Sequence, residues 1–472
     1  MSLTGALIAS RSGLQAVSRW SETTAGNISN ANTQGYVRRD VGFATQGGGS
    51  TSGVRVTGLS RESSAALAQM HREHLGMAAT QSTVSALLEG YSAALGQPGD
   101  GTTLSDRLGA LENSITALIT DPGSGPRQRE VLDAAQALTG TLNMLSDKLD
   151  DVSGAIRRDT TLEVERVNGI FGELAALNER INRMEPNTAA AAELRDRMDA
   201  RLDALSQSMD FKVRERIDGG LDIFTQDGTA MVVGDRAETL EYDPVAGLSL
   251  GGIDVTPGAA PNRGISGGRL AGLMSLKDGT LPRFRLQLDE AARELVEGFS
   301  ASDPTVAPGG VGLFTDAGAA YNPALREGLA GRIAVNDAVR PEAGGALWRL
   351  RDGIGAGAEG PAGGTATLES VLDGLALPGT YDPAAGLQDG VTVASFAAQL
   401  ISDQQAVRSK AEGDLAGIRT ASAAVAESRT QAEGVDIDSE MQRLLAIEQS
   451  YAANSKVLTT VARMIDDLLA SI

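Results

Sequence analysis

Both ends of the chain carry apolar side chains at seven-residue intervals, a spacing typical of helices that pack against other helices. At the C-terminal end one edge of the repeat is apolar throughout, whereas the N-terminal repeat also contains small and polar residues. We expect the two helices to bury these side chains against each other and against neighbouring copies of the chain. The alternative is an antiparallel helix pair that closes one globular domain. The apolar positions are Leu3, Leu7, Leu14, Val17 and Ile28 at the N-terminal end and Ile437, Met441, Leu444, Tyr451, Leu458, Ile465 and Leu469 at the C-terminal end.

The first predicted helix ends in a segment rich in asparagine and glycine. Asn30, Asn32 and Gly35 adopt left-handed backbone angles more readily than β-branched residues do, and Tyr36 follows them directly. We therefore expect these four residues to shape the turn by which the chain leaves the terminal helix.

Between residues 63 and 209 apolar side chains recur every three or four positions, which predicts long amphipathic helices. Segments that contain proline and glycine interrupt this pattern at 97–101 and 121–126, and Pro186 interrupts it again. Such long, regular helices favour an elongated bundle. The charges of residues 193–201 are interleaved with arginines, which is typical of a solvated helix face.

Elsewhere the pattern predicts strands. Short strands are expected at 41–43 and 54–56, and β-hairpins around the Gly-containing turns at 218–220 and 226–228. The stretch 301–389 is rich in glycine and proline and contains further short strand candidates, so we predict a β-rich insertion there. Helical patterns return at 268–299 and 391–472.

Charge and composition narrow the function. The 41 Lys and Arg residues are outnumbered by 61 Asp and Glu residues, which gives a formal net charge of −20. This balance argues against binding to nucleic acid or to an anionic membrane, since both require basic surfaces. Disulfides and thiolate metal sites are excluded because the sequence contains no cysteine. No cleaved secretory signal is recognisable, and no apolar stretch is long enough to span a membrane.

Three motifs suggest chemistry, but each lacks the context that the chemistry needs. Residues 264–268 match G-x-S-x-G without a preceding strand or a later histidine, and 355–360 match G-x-G-x-x-G without a following helix. His71 and His74 have no evident third metal ligand. We predict that the protein is not an enzyme and has no catalytic, cofactor-binding or metal site.

The two ends carry the strongest family signal. Residues 25–38 resemble the N-terminal signature of flagellar rod, hook and hook-associated proteins, N-I-x-N-x-N-T-x-G-Y-x-R, and residues 434–458 are similar to its C-terminal partner. Interior segments at 194–205, 267–273 and 311–314 resemble those of hook-associated members. The stretch 301–389 matches nothing recognisable, as expected for a variable outer domain.

The resemblance implies a structural component of the bacterial flagellum that forms the hook–filament junction layer at the distal end of the hook. It implies export through the flagellar type III apparatus and an extracellular location. The implied partners are the hook protein, the second junction protein FlgL, further copies in a helical ring, and an export chaperone at the C-terminal helix. The alternatives are an FlgL-like protein, another axial protein and, more remotely, a flagellum-displayed adhesin or hydrolase.

Together these observations predict a mainly α fold with β-rich insertions. We expect an elongated multi-domain protein with paired terminal heptad helices, a long helical bundle core and an inserted β-rich outer domain. The predicted boundaries are 1–60 for the N-terminal inner-tube helix and turn, 61–210 for the helical core, 211–265 for the β-hairpins, 266–300 for a core helix, 301–390 for the outer domain, 391–430 for a core helix and 431–472 for the C-terminal inner-tube helix.

Overall fold

The computed structural model describes residues 3–33, 35–47, 52–97, 99–260 and 264–470. Most of these residues are helical, which confirms the prediction of a mainly α protein with β insertions. The α-helices are α1 (Leu3–Ser29), α2 (Ala65–Leu95), α3 (Leu104–Thr120), α4 (Gly125–Asn182), α5 (Ala189–Ser208), α6 (Gly268–Ser275), α7 (Leu281–Ser302), α8 (Leu329–Arg332), α9 (Arg349–Asp352), α10 (Ala366–Leu375), α11 (Val393–Glu433) and α12 (Ile437–Ala470).

Local capping explains where several helices begin and end. The hydroxyl of Thr103 accepts a hydrogen bond from the backbone N–H of Asp106 at the start of α3. The hydroxyl of Thr188 accepts one from Ala191 in the same way at the start of α5. Such N-caps satisfy donors that the helix itself leaves unpaired. The predicted interruptions at 121–126 and Pro186 fall at or close to the ends of α3 and α4.

The strands form small antiparallel sheets. Strands β1 and β2 make a hairpin, β3 to β6 a four-stranded sheet, β7 to β9 a three-stranded sheet, and β10 pairs with β11. The predicted hairpin turns at 218–220 and 226–228 are confirmed, with Gly219 and Gly228 at positive φ. The strands are β1 (Arg39–Gly47), β2 (Ser52–Arg61), β3 (Lys212–Glu215), β4 (Leu221–Phe224), β5 (Ala230–Val233), β6 (Arg236–Ala237), β7 (Leu240–Asp243), β8 (Gly247–Leu250), β9 (Ile253–Asp254), β10 (Phe314–Asp316) and β11 (Ile333–Val335).

Two asparagines of α4 attach the sheets of β3 to β9 to that helix. Asn178 donates from Nδ2 to the carbonyls of Leu221 and Gly234, both at 2.7 Å. Asn168 pairs with both backbone groups of Leu240, donating at 2.8 Å and accepting at 2.9 Å. A side-chain amide paired in this way takes the place of a neighbouring strand and satisfies backbone groups at the sheet edge.

The chain folds into two compact units. The first contains residues 1–80, 162–271 and 416–472, and the second contains residues 81–161 and 272–415. The chain therefore passes from one unit to the other within α2, α4, α6 and α11. In the second unit the Tyr91 and Phe284 rings stack at 5.8 Å and the Phe299 and Phe314 rings meet edge to face at 4.8 Å. The rings of Tyr381 and Phe396 also stack there at 3.9 Å, and most of the other buried side chains are aliphatic.

The region 301–390 differs from the β-rich insertion expected there. Its described strands are only β10 and β11, and the rest consists of short helices and turns. It belongs to the second unit together with α7 and parts of α2, α4 and α11. Repeated glycines at positive φ, such as Gly318, Gly328 and Gly344, turn the chain before a longer strand can form.

Candidate assembly interface at the chain ends

The predicted pairing of the terminal helices is confirmed, because α1 packs along α12 within the first unit. Gly13 of α1 faces α12, because a Cβ atom at this position would lie 2.9 Å from Oδ1 of Asn454. A glycine at this point leaves room for the side chain of Asn454 between the two helices. Val17 is buried on α1, while Leu3, Leu7, Leu14 and Ile28 are half-buried.

The structure divides the predicted C-terminal residues into two groups. Leu444, Leu458 and Ile465 lie half-buried along one face of α12, together with the buried residues Ile447 and Val461. Polar residues also occupy this face, since Glu440 is buried and Asn454 is half-buried. The other predicted residues are exposed: Ile437, Met441, Tyr451 and Leu469.

The β1–β2 hairpin covers a further part of α1. The backbone N–H of Val54 donates to Oγ of Ser12 at 3.1 Å, and the rings of Trp20 and Phe43 meet edge to face at 6.0 Å. The first helix therefore packs against both α12 and the hairpin. The two predicted short strands, 41–43 and 54–56, both lie within this hairpin.

The end of α1 is joined to β1 and α12 through the side chain of Asn27. Its Oδ1 accepts from the Tyr36 hydroxyl at 2.9 Å and from the Arg39 N–H at 3.1 Å. Its Nδ2 donates to the Arg39 carbonyl at 2.8 Å and to Oε2 of Glu440 at 3.2 Å. Every hydrogen-bonding position of this buried amide is thus used. Burial raises the pKa of Tyr36, and the nearby Arg39 opposes that rise, so the phenol remains a donor at neutral pH.

Glu440 is the second central residue of this junction. Its side chain is only 1% exposed and accepts from Nε of Arg38 at 2.9 Å as well as from Asn27. Arg443 lies near the same carboxylate at 3.7 Å and near Asp40 at 3.4 Å. These contacts connect the start of α12 to the segment that leads into β1.

The apolar heptad pattern did not identify Asn27 and Glu440 as residues of this site. A search for apolar heptad positions passes over polar residues, although Asn27 lies within the Asn-rich motif quoted above. Their long-range pairing could not be inferred from spacing, since 413 positions separate them in the chain.

The turn residues play unequal parts. Gly35 has φ of +80°, whereas the described asparagines of this turn do not have positive φ. Asn30 instead donates from Nδ2 to the Gly26 carbonyl at 2.9 Å and helps to end α1. Asn32 is exposed, and Tyr36 is half-buried against Asn27.

Replacing Gly35 with valine is expected to lower the free energy of unfolding of the first unit by about 1–2 kcal/mol, because a β-branched residue is strained at positive φ. Apart from the two adjacent residues, no described atom lies within 4 Å of the new Cβ position, so contacts with the rest of the described fold do not crowd it. Denaturant unfolding followed by Trp20 fluorescence measures the effect. Gly35→Asn is the control, since asparagine tolerates this backbone region, and equal losses in both variants would contradict the backbone explanation.

The G-x-S-x-G motif set aside above lies directly before α6 and at its first residue. Ser266 donates its hydroxyl to Asp210 at 2.5 Å on the surface, and Gly268 begins α6. Over the described ranges, no group of three or more His, Asp or Glu side chains could hold a metal ion. Among the described helices, none is long and apolar enough to cross a membrane.

Comparisons with known proteins agree with the terminal motifs. Residues 93–305 match the family model of the flagellar hook-associated protein FlgK helical domain, and residues 428–471 match that of the flagellar basal body rod FlgEFG protein C-terminal region. The flagellar hook-associated protein 1 of Bacillus subtilis (strain 168) is 23% identical, with 95% of this chain and 94% of the relative covered.

A solved structure of the flagellar hook junction protein FlgK from Burkholderia pseudomallei is 20% identical, with a TM-score of 0.42. The match covers 52% of this chain and 46% of that chain, so this chain spans less than half of the solved protein. The similarity therefore rests on the family models and on the relative that matches along nearly its whole length. These comparisons support a flagellar hook-associated protein similar to flagellar hook-associated protein 1 (FlgK).

Proposed function

We propose that this protein forms the junction layer at the distal end of the flagellar hook, where the hook meets the filament side. As a flagellar hook-associated structural protein it functions in flagellum assembly and motility. The observation that carries the finer proposal is the α1–α12 pair, which leaves a large share of the apolar side chains of α12 uncovered.

Six of these uncovered side chains form two rows on α12. In the first half of the helix Ile437, Met441 and Leu445 follow one another at intervals of four, and in the second half Val457, Met464 and Leu468 follow at seven and four. With about 3.6 residues per turn, the two rows lie on opposite sides of the row that faces α1. Their side chains are 45–57% exposed. A helix placed between two neighbouring subunits would bury both rows.

The charge of the chain favours protein partners for these rows. With a formal net charge of −20, an anionic membrane or a nucleic acid would repel the protein. The partners we propose are further copies in a helical ring, the hook protein below and the second junction protein FlgL above. Before assembly, an export chaperone would cover the same apolar rows of α12. This role implies type III export and an extracellular position in the flagellum.

Addition to isolated hooks tests the proposal. Purified protein mixed with hooks is expected to add a layer at the distal tip that electron microscopy resolves. Leu458→Asp places a charge in the α1–α12 seam and should abolish the layer, whereas Gln449→Asp adds the same charge at an exposed position of the helix and should retain it.

Bare tips with the wild-type protein would contradict the junction role next to the hook. Addition only to hooks that already carry a first layer would instead identify an FlgL-like protein.

A further inference from the structure

Eight charged side chains of the first unit form a continuous chain of alternating sign, here called the ionic ladder. Three aspartates of α5, spaced by three and four residues, share one face of that helix. Arginines from β1, β2, α2 and α11 lie between and beside them, and no member is more than 24% exposed. The members in order are Arg39, Asp196, Arg61, Asp199, Arg72, Asp203, Arg429 and Glu433.

Each arginine in the middle of the ladder bridges two carboxylates. Nη2 of Arg61 lies 2.8 Å from Asp196 and 2.7 Å from Asp199. Arg72 reaches Asp199 from Nη2 at 2.9 Å and Asp203 from Nε at 2.8 Å. Arg72 directs two different nitrogens of its planar guanidinium at the two carboxylates, which the ammonium group of lysine cannot do. The ladder therefore defines geometry as well as charge.

The two ends of the ladder lie in the segments next to the α1–α12 pair. One end is in β1, which follows α1, and the other is at the end of α11, which precedes α12. Arg39 contacts Asp196 at 2.9 Å, and its backbone carries two of the four hydrogen bonds of Asn27. At the other end, Arg429 joins Asp203 to Glu433, the last residue of α11. The Glu433 carboxylate also accepts from the Ser64 N–H at 2.8 Å, and its carbonyl accepts from the Arg38 N–H at 2.9 Å.

The net stability that such a ladder supplies is small. Buried ion pairs lose hydration that their mutual attraction only partly replaces. Burial raises the pKa of Asp196, although Arg61 and Arg39 both act to lower it. The desolvation of this carboxylate thus outweighs the attraction of its partners. In some proteins, buried ionic groups instead fix which arrangement of the elements is populated.

We propose that the ionic ladder is a positioning device that sets the orientation of the α1–α12 pair relative to α5. This inference rests on the proposed function, because a fixed direction matters only when the terminal helices must meet neighbouring subunits. Without the ladder, the hairpin and the helix pair would remain folded but would take a wider range of orientations relative to α5.

Spin labels on the full chain measure this orientation directly. The sequence contains no cysteine, so Thr45→Cys on β1 and Ala200→Cys on α5, both exposed positions, provide a unique labelled pair. Arg61→Met cuts the ladder at its centre and leaves Asp196 paired with Arg39 and Asp199 paired with Arg72. We expect the distance distribution between the labels to broaden, with little change in Tm.

Two further variants make the test specific. Arg72→Lys keeps the charge but loses the fork to two aspartates, and it should broaden the distribution less than Arg61→Met does. Arg197→Gln removes an exposed pair with Glu193 on the same helix and should leave the distribution unchanged. If Arg61→Met fails to fold, Arg72→Lys carries the test.

An unchanged distribution in both ladder variants would overturn the proposal, and so would a fall in Tm without broadening, since that marks a purely structural role. The distances are measured on the isolated protein. If the protein added no layer to hooks, the distance measurement could therefore still be interpreted. If the distances did not broaden, the hook experiment would likewise still test the junction role.

Discussion

Arg38→Met is expected to lower the free energy of unfolding of the first unit by about 3 kcal/mol, because it leaves a buried carboxylate without its charged partner. Glu440 would keep only the Asn27 amide at 3.2 Å and the more distant Arg443 at 3.7 Å. Denaturant unfolding followed by Trp20 fluorescence measures the change. The chain has one other tryptophan, so a Trp348→Phe background makes Trp20 the sole reporter.

Two comparisons show whether the buried charge is the cause. The double variant Arg38→Met/Glu440→Met removes both charges and should recover much of the lost stability, since an apolar pair tolerates burial. Arg19→Gln breaks an exposed pair with Glu22 on α1 and should cost no more than about 0.5 kcal/mol. A loss for Arg38→Met as small as that for Arg19→Gln would show that Glu440 does not depend on Arg38.

The helices could be predicted from the sequence because their signals are local. Apolar periodicity and Pro-Gly interruptions gave the positions of α3 and α4 to within a few residues. The same reasoning failed where small residues form the contact. In α2 the large side chains of Met70 and Met77 are each 46% exposed, contrary to the predicted apolar stripe. In this first half of α2 the buried face includes residues such as Gly76, whose Cβ position would lie 3.0 Å from the Ser206 carbonyl. Farther along the helix the predicted stripe is confirmed, since Leu88 and Tyr91 are buried.

The polar half of the candidate site could not be predicted, because its pairs join distant parts of the chain. Residues 193–201 were interpreted as a solvated face, which holds for the exposed pair Glu193–Arg197. Asp196 and Asp199 lie on the other side of the same helix and belong to the ionic ladder. Sequence spacing reveals that they share a face, but only the fold shows which arginines reach them.

Charge substitutions on two faces of α12 should separate folding from assembly. Ile447 is 3% exposed against α1, so Ile447→Asp buries an unpaired charge and should destabilise the first unit by about 3 kcal/mol or more. Met441 is 47% exposed, so Met441→Asp should change the free energy of unfolding by no more than about 0.5 kcal/mol. We expect Met441→Asp nevertheless to abolish the layer at the hook tip.

This contrast follows from what covers each side chain. The partner of Ile447 lies in the same chain, and its loss is visible in the isolated protein. Met441 has no such cover, so its apolar surface is buried only when a neighbouring subunit binds. A charge at this position therefore opposes only the binding step. Unfolding of the isolated variants and imaging of hook tips measure the two effects separately. If Met441→Asp and Leu445→Asp both formed a normal layer, subunits would have to meet through a surface other than this side of α12.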